Sequence, residues 1–324
     1  MMHDLPTGVL HYLYTFLDLQ SMAKLETTCS IARAVGMDRS DLHLFIDDTV
    51  DILSSKSFFL WVQKRAHQFA SVKLAVKDGQ TNQLVAAHLG SILEKAVNLK
   101  SVCTIYTDDA SWSLPLFLTT MARESPPGLQ SLALGMGGIP QGYMRFMGAF
   151  NKSLKALQVY FPESSRLDDF LKLSLPVLED LTLCGDGCVA IPKHPMKLPS
   201  LRNVTLHGLI IATVPFELEN TLVSLSLVLT SFLPVLPKDV MTISDVMTVF
   251  HCDFPSCIDV SKLHKLHLIL GNNRHGNWRR LPPSISFPSL RVLSASQTDI
   301  RLTPEQIPYV SSIVIDPVAQ DTVA

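Results

Sequence analysis

The residues of this sequence best suited to chemistry are its cysteines and histidines, because thiolate and imidazole groups are common zinc ligands. Two clusters stand out: Cys184, Cys188 and His194, then His251, Cys252, Cys257, His264 and His267. Structural zinc sites have tighter paired spacings, typically two residues between two cysteines. We therefore predict no metal site. Since the N-terminus has no basic stretch before its apolar residues, we expect reduced thiols in a cytoplasmic or nuclear protein.

Phosphate-binding and catalytic motifs are incomplete. Gly135 and Gly137 follow a short apolar run, but Pro140 stands where G-x-G-x-x-G requires its third glycine. No G-x-S-x-G and no H-E-x-x-H motif occurs. The carboxylate pairs Asp108-Asp109 and Asp168-Asp169 stand at expected helix starts, where acids stabilise a helix. The sequence predicts no catalytic residues, no cofactor and no enzymatic activity, and an enzyme with an unrecognised site stays open as an alternative.

The charge balance argues against nucleic acid and membrane partners. The formal net charge is −2, without any block of like charges. The basic segment 274–280 can contact phosphate, but such a stretch is more often a solvated loop. The uncharged window 220–237 alternates like a strand in its interior and ends in prolines. We predict no membrane span.

A repeated pattern provides the elements that must position any functional side chain. The pattern is aliphatic-x-x-aliphatic-x-aliphatic, and its copies begin at Phe69, Leu99, Leu129, Leu154, Leu178, Leu201, Leu222, Leu263, Leu290 and Val310. The intervals are 20 to 30 residues, except one of 41 residues that has room for a degenerate unit around Ile243. The final alternation predicts a short strand with one buried face, and apolar stripes between strands predict helices. Such units are stable only when stacked.

The first 33 residues predict two amphipathic helices. Pro6 suits the first turn of one helix, and Ser21 suits the cap of the second. The apolar residues spaced three or four apart are Val9, Leu10, Leu13 and Leu17, then Met22, Leu25, Cys29 and Ala32. A pair of this size cannot bury a core of its own. Its stripes therefore need either the rest of the chain or another protein.

These residues resemble two known families. The opening resembles an F-box, with Leu5, Pro6, Val9, Leu10, Leu13, Phe16, Leu17, Asp18, Met22, Leu25 and Cys29 in register. It departs at Gly8, where the family usually has an acid, and at Ala32, where it often has Trp or Phe. The later copies resemble leucine-rich repeats without the usual Asn or Cys after the strand. The layout is similar to that of fungal F-box proteins.

The resemblance implies an α/β fold: a leucine-rich-repeat solenoid with parallel strands inside and helices outside, after an all-α F-box-like helical hairpin. The boundaries are 1–38 for the F-box-like segment, 39–65 for a linker or capping helix, 66–316 for the irregular solenoid, and 317–324 for a tail. It also implies a non-catalytic substrate-recognition subunit of an SCF-type cullin–RING E3 ubiquitin ligase. An alternative is a leucine-rich-repeat scaffold or inhibitor whose N-terminal helices only cap the solenoid.

In the ligase role, two sets of residues bind partners. The set implied for the Skp-family adaptor, and through it the cullin, is Leu5, Pro6, Val9, Leu10, Leu13, Phe16, Leu17, Met22, Leu25 and Cys29. A protein substrate of unknown identity would contact outward strand positions, since neighbours of the buried slots point away from the core. Those residues include Tyr160, Asp180, Asn203, His207, Lys265 and His267, with Lys73 and Gln158. Leu181, Leu206 and Leu225 should fill inward slots.

Overall fold

The computed structural model describes residues 9, 12–13, 17–37, 42–47, 56–75, 92, 95–104, 128–135, 150–161, 173–190, 196–211, 216–217, 222–228, 231–232, 262–269, 286–296 and 303–316. The chain divides into two compact units, residues 1–135 and 136–324. Each unit is built around a parallel sheet.

The first unit combines helices with a four-stranded sheet. Its elements are α1 (Leu19–Thr28), α2 (Ser30–Met37), β1 (Leu42–Asp47), α3 (Lys56–Lys64), a 3-10 turn (Ala66–Gln68), β2 (Phe69–Ala75), β3 (Ser101–Thr104) and β4 (Ser131–Leu134). The strands β1 to β4 pair in sequence order, and every pairing is parallel.

The second unit is described almost entirely by strands. They are β5 (Ala156–Phe161), β6 (Asp180–Ala190), β7 (Met196–Lys197), β8 (Asn203–Ile211), β9 (Phe216–Glu217), β10 (Ser224–Val228), β11 (Ser231–Phe232), β12 (Lys265–Ile269), β13 (Val292–Ser296) and β14 (Ser312–Asp316). The main sheet has the parallel order β5-β6-β8-β10-β12-β13-β14, β11 pairs with the far end of β8, and β7 pairs with β9.

All ten predicted repeat strands are present, and the α/β class with parallel strands is confirmed. The strands are β2, β3, β4, β5, β6, β8, β10, β12, β13 and β14. Leu181, Leu206 and Leu225 are each 1% exposed, as their inward slots require. Most of the predicted intervening helices, and the degenerate unit around Ile243, lie outside the described residues.

The last repeat differs from the others. Ile313 occupies the inward slot of β14, opposite the buried Leu293 of β13, yet it is 53% exposed. Among the described strands β14 is the last of the sheet order, so Ile313 has a described neighbouring strand on one side only. The slot pattern therefore predicted the strand correctly but not the burial of its residues.

The N-terminal helices depart from the prediction. Asp18, and not Ser21, caps α1, because its Oδ1 accepts a hydrogen bond of 2.7 Å from the Ser21 backbone N–H. The predicted second helix is broken at Cys29, whose backbone is extended. The Thr28 hydroxyl donates back to the carbonyls of the preceding turn, and the Cys29 Sγ accepts from the Ala32 N–H at 3.4 Å. Cys29 thus ends α1 and begins α2.

The first predicted helix is described only in part. Val9, Tyr12 and Leu13 have helical backbone, whereas Leu5, Pro6, Leu10 and Phe16 lie outside the described residues. The structure therefore does not show the F-box-like hairpin.

Residues 39–65 contain more than the predicted linker or capping helix. The helix α3 is present, but β1 precedes it and pairs with β2. Leu42, Leu44 and Ile46 are buried on alternate positions of β1. The sheet of the first unit therefore begins one strand earlier than the repeats predicted.

A bulge between β6 and β8 interrupts the second sheet. Cys184 pairs with His207 and Cys188 with Leu209, so the three residues after Cys184 lie opposite Gly208 alone. Gly208 has a φ of 66°, which favours glycine. A Cβ atom at this position would lie 1.8 Å from the carbonyl oxygen of Gly185.

We predict that Gly208→Ala destabilises the protein by about 2 kcal/mol or more. The substituted residue must bear the left-handed conformation, which alone costs about 1–2 kcal/mol, and the close contact with Gly185 adds to it. Gly128→Ala is the matched control, because its Cβ would meet nothing nearer than the Leu99 oxygen at 3.9 Å. Urea denaturation of both variants measures the difference. Equal stability of the two variants would contradict the close approach at the bulge.

Candidate functional site

Residues at alternate strand positions align by backbone register into three rows across the central strands of the second sheet, which together we name the strand face. The first row contains Ala156, Asp180, Asn203, Ser224 and Lys265. The second row contains Gln158, Thr182, Thr205, Ser226 and His267. The third row contains Tyr160, Cys184, His207, Val228 and Ile269. Seven of the eight residues predicted for the substrate surface therefore hold positions in the second unit, and Lys73 lies on β2 of the first unit.

The structure brings the predicted residues together in two groups. Asp180 and Asn203 are adjacent and exposed, and the Asn203 Nδ2 donates a hydrogen bond to the Asp180 Oδ1. Tyr160 and His207 lie two strands apart in the third row, about 10 Å at the usual strand spacing. Tyr160 is half-buried and His207 is exposed, so both present surface to a partner.

Lys265 lies at the other end of the strand face. It is exposed and sits two strands from Asn203, with Ser224 between them. His267 is placed by its backbone register only, beside Ser226 and Ser294. The two residues extend the candidate surface toward β12.

The chemistry of the strand face suits binding. Its second row carries a partly exposed line of hydroxyl groups on Thr182, Thr205 and Ser226, which donate and accept hydrogen bonds. Burial raises the pKa of the Cys184 thiol. Because the thiolate is the reactive form, a raised pKa makes Cys184 a poor nucleophile at neutral pH.

The first unit has a smaller outward surface of the same kind. Phe45, Lys73 and Cys103 are neighbours on β1, β2 and β3, and the Lys73 Nζ lies 5.4 Å from the centre of the Phe45 ring. Burial raises the pKa of the Cys103 thiol, and the positive charge of Lys73 opposes that shift. Cys29, Cys103 and Cys184 are free thiols, buried or half-buried as predicted.

The N-terminal helices are fixed by a buried ion pair. The Glu26 carboxylate accepts a hydrogen bond of 2.8 Å from the Trp61 Nε1 and pairs with the Arg65 guanidinium. Arg65 also donates to the Gln68 Oε1 at 3.1 Å, and the Gln68 Nε2 donates to the Gly36 carbonyl at 3.1 Å. We name Glu26, Trp61, Arg65 and Gln68 the buried network. It ties α1 and α2 to α3 and to the 3-10 turn that precedes β2.

The residues implied for adaptor binding divide into buried and exposed groups. Met22 and Cys29 are buried against the core of the first unit, at 6% and 3% exposure. Leu13, Leu17 and Leu25 are partly exposed. The remaining described member, Val9, is 42% exposed. Only the exposed group is free to contact an adaptor without rearrangement.

Three features escaped the sequence prediction. Tyr12 is 66% exposed and lies three residues after Val9. Residues three apart are neighbours on a helix, so the sequence could have indicated this pair as an exposed stripe. Phe45 was missed because its strand, β1, was not predicted. The pairing of Glu26 with Arg65 joins residues 39 positions apart, and no local sequence pattern predicts such a contact.

The described residues provide neither a metal cluster nor a membrane-spanning helix. Among the described residues, no group of three or more His, Cys, Asp or Glu side chains is placed to hold a metal ion. Cys184 and Cys188 lie on either side of the bulge, while His194, His251, Cys252 and Cys257 are outside the described residues. No described helix has both the length and the apolar character to cross a bilayer.

Comparison of the sequence with protein-family models gave no match, and a search of curated proteins also gave none. The assignment of a function therefore rests on the residues and the geometry.

Proposed function

We propose that the protein is a substrate-recognition subunit of an SCF-type cullin–RING ubiquitin ligase, built as an F-box-like segment followed by a leucine-rich-repeat solenoid. The F-box-like segment binds a Skp-family adaptor and, through it, the cullin, while the strand face holds a protein substrate. The chain performs no chemistry. It raises the local concentration of target lysines near a ubiquitin-loaded enzyme held by other subunits. Its expected location is the cytoplasm, the nucleus or both.

One observation carries the proposal: apolar residues are exposed or partly exposed on α1 and on the described residues before it, while α1 is anchored through a buried side chain. Val9 and Tyr12 are exposed, and Leu17 and Leu25 are partly exposed. The buried network holds α1, which carries Leu25, to α3 and to the residues that follow it. Apolar groups left exposed on an ordered surface usually mark an interaction site.

The parallel sheet supports the second half of the proposal. Its strand face offers Tyr160 and His207, which combine apolar area with hydrogen-bonding tips. Rows of hydroxyl side chains beside them supply further hydrogen bonds. Such a surface suits a folded or extended protein partner.

A second candidate function is a leucine-rich-repeat scaffold or inhibitor without a ligase role. The burial of Met22, Cys29 and Ala32 favours it, because terminal repeats need a capping element and α1 and α2 supply one. The two functions differ in whether the exposed residues before α1 bind an adaptor.

Two variants test the proposal by separating the two binding activities. Leu17→Asp should abolish co-purification of the adaptor, because a charge would be buried in an apolar interface, and it should leave partner capture unchanged. Tyr160→Ala combined with His207→Ala should weaken partner capture and leave the adaptor bound. Ser30→Asp is the matched control, since it adds the same charge at an exposed position of α2.

The readout is quantitative affinity purification from cells followed by mass spectrometry. Loss of the adaptor with Leu17→Asp but not with Ser30→Asp supports the ligase role. Undiminished adaptor recovery with Leu17→Asp contradicts it. Equal partner recovery with the Tyr160 and His207 double variant removes the substrate assignment alone.

A further inference from the structure

A further row of residues, outside the strand face, runs along the second sheet one residue before the first row of the strand face. Its members are Lys155, Glu179, Arg202, Val223, His264, Arg291 and Ser311. In each successive pair, the backbone N–H of the later residue donates to the carbonyl of the earlier one at 2.7 to 2.9 Å. The hydrogen bonds make these positions equivalent and hold them about one strand spacing apart.

Positive charge is concentrated in this row. Lys155, Arg202 and Arg291 are exposed, and the chain as a whole has a formal net charge of −2, so the concentration is local. We name these three residues the basic edge. Exposed Lys152 and Lys262 stand nearby in sequence and carry the same sign.

One acid belongs to the row, and it is paired. The Lys155 Nζ lies 3.3 Å from the Glu179 Oε1, and both side chains remain solvent-accessible, at 55% and 39% exposure. An exposed pair of this kind is weak, because water screens it. Glu179 therefore moderates the charge of Lys155 without burying it.

We propose that the basic edge binds an acidic segment of a partner protein in an extended conformation across the strands. Lys155 and Arg202 are two strands apart, about 10 Å, and Arg202 and Arg291 are three strands apart, about 14 Å. An extended chain advances about 3.3 Å per residue. Because side chains alternate along an extended chain, acids at positions i, i+4 and i+8 of the bound segment share one face, and they come within reach of the three long cationic side chains in turn.

The geometry favours a peptide over a nucleic acid. Glu179 and Asp180 are neighbours at the start of β6, between the positions of Lys155 and Arg202. A nucleic-acid backbone carries a charge at every nucleotide and would meet both carboxylates. A peptide can place uncharged residues there. The inference goes beyond the ligase proposal and does not depend on adaptor binding, because none of the residues of the basic edge lies in the F-box-like segment.

The inference is tested by fluorescence anisotropy with the full chain and a labelled twelve-residue peptide of Gly, Ser and Thr with glutamates at i, i+4 and i+8. Arg202→Gln and Arg291→Gln should each weaken binding about two- to fivefold, the usual range for an exposed ion pair. Glu179→Gln should strengthen binding by a similar factor, because it frees Lys155. Lys95→Gln, an equal loss of charge at an exposed turn of the first unit, should change nothing.

The opposite responses of Glu179→Gln and Arg202→Gln separate charge recognition from a structural effect, which would weaken binding in both. Far-ultraviolet circular dichroism confirms that the exposed substitutions leave the fold intact. The inference is overturned if the peptide does not bind, if a peptide with three adjacent glutamates binds equally well, or if a twelve-nucleotide oligothymidine binds more tightly than the spaced peptide.

Discussion

Replacing Arg65 with alanine should lower the free energy of unfolding by about 3–5 kcal/mol, the usual cost of removing one partner of a buried ion pair. The Glu26 carboxylate would stay buried without its guanidinium partner, and the Gln68 Oε1 would lose a donor. Urea denaturation followed by tryptophan fluorescence measures the change, since Trp61 donates to the same carboxylate.

Two further variants isolate the buried network. Arg33→Ala removes hydrogen bonds from an exposed arginine to the backbone carbonyl of Glu26 and should cost about 1 kcal/mol. Glu26→Ala combined with Arg65→Ala should cost much less than the sum of the single changes, because no unpaired charge remains. A strictly additive double variant would contradict the ion pair as the link between α1 and α3.

Replacing Leu206 with alanine should destabilise the second unit by about 2–5 kcal/mol. Leu206 is 1% exposed, and its backbone is in register with Leu183 of β6 and Leu227 of β10, so the truncation leaves a cavity at an inward slot inside the sheet. Thr205→Ala, one residue earlier and on the outward face, is the matched control. Its cost should stay below about 1 kcal/mol, as for a β-branched residue on a solvated face.

Equilibrium denaturation of both variants by urea, followed by far-ultraviolet circular dichroism, compares the two faces directly. If Thr205→Ala costs as much as Leu206→Ala, the inward and outward assignments along β8 are wrong. The strand face would then lose its basis as a binding surface.

The strands were predictable because the buried positions of a stacked repeat recur in the sequence as aliphatic residues at fixed spacing. The repeated aliphatic pattern includes Leu181, Leu206 and Leu225 and so marks the buried face of their strands. Because side chains alternate along a strand, Tyr160 and His207 are then expected on the opposite face. β1 was missed because Asp41 stands where the pattern requires its first aliphatic residue. Only the short alternation of Leu42, Leu44 and Ile46 marks that strand.

Features that depend on pairing between distant segments were not predictable from the sequence. The bulge requires Gly185 and Gly208 to meet, and a glycine inside a strand indicates only that a close approach is possible. The helix breaks at Cys29 because hydroxyl groups before it compete with backbone N–H groups for the helix carbonyls. The apolar spacing continues through Cys29 and therefore did not predict the break. The basic edge emerges only when strand starts are aligned by hydrogen bonds.

The ligase role predicts that the purified full chain binds a purified Skp-family adaptor directly. Isothermal titration calorimetry should show saturable binding with one adaptor per chain and a Kd of about 1 μM or tighter, equivalent to about −8 kcal/mol. Leu17→Asp should remove the binding heat, while Ser30→Asp should leave it unchanged. A folded chain that gives no binding heat with the adaptor would contradict the proposed function and leave the capped scaffold in its place.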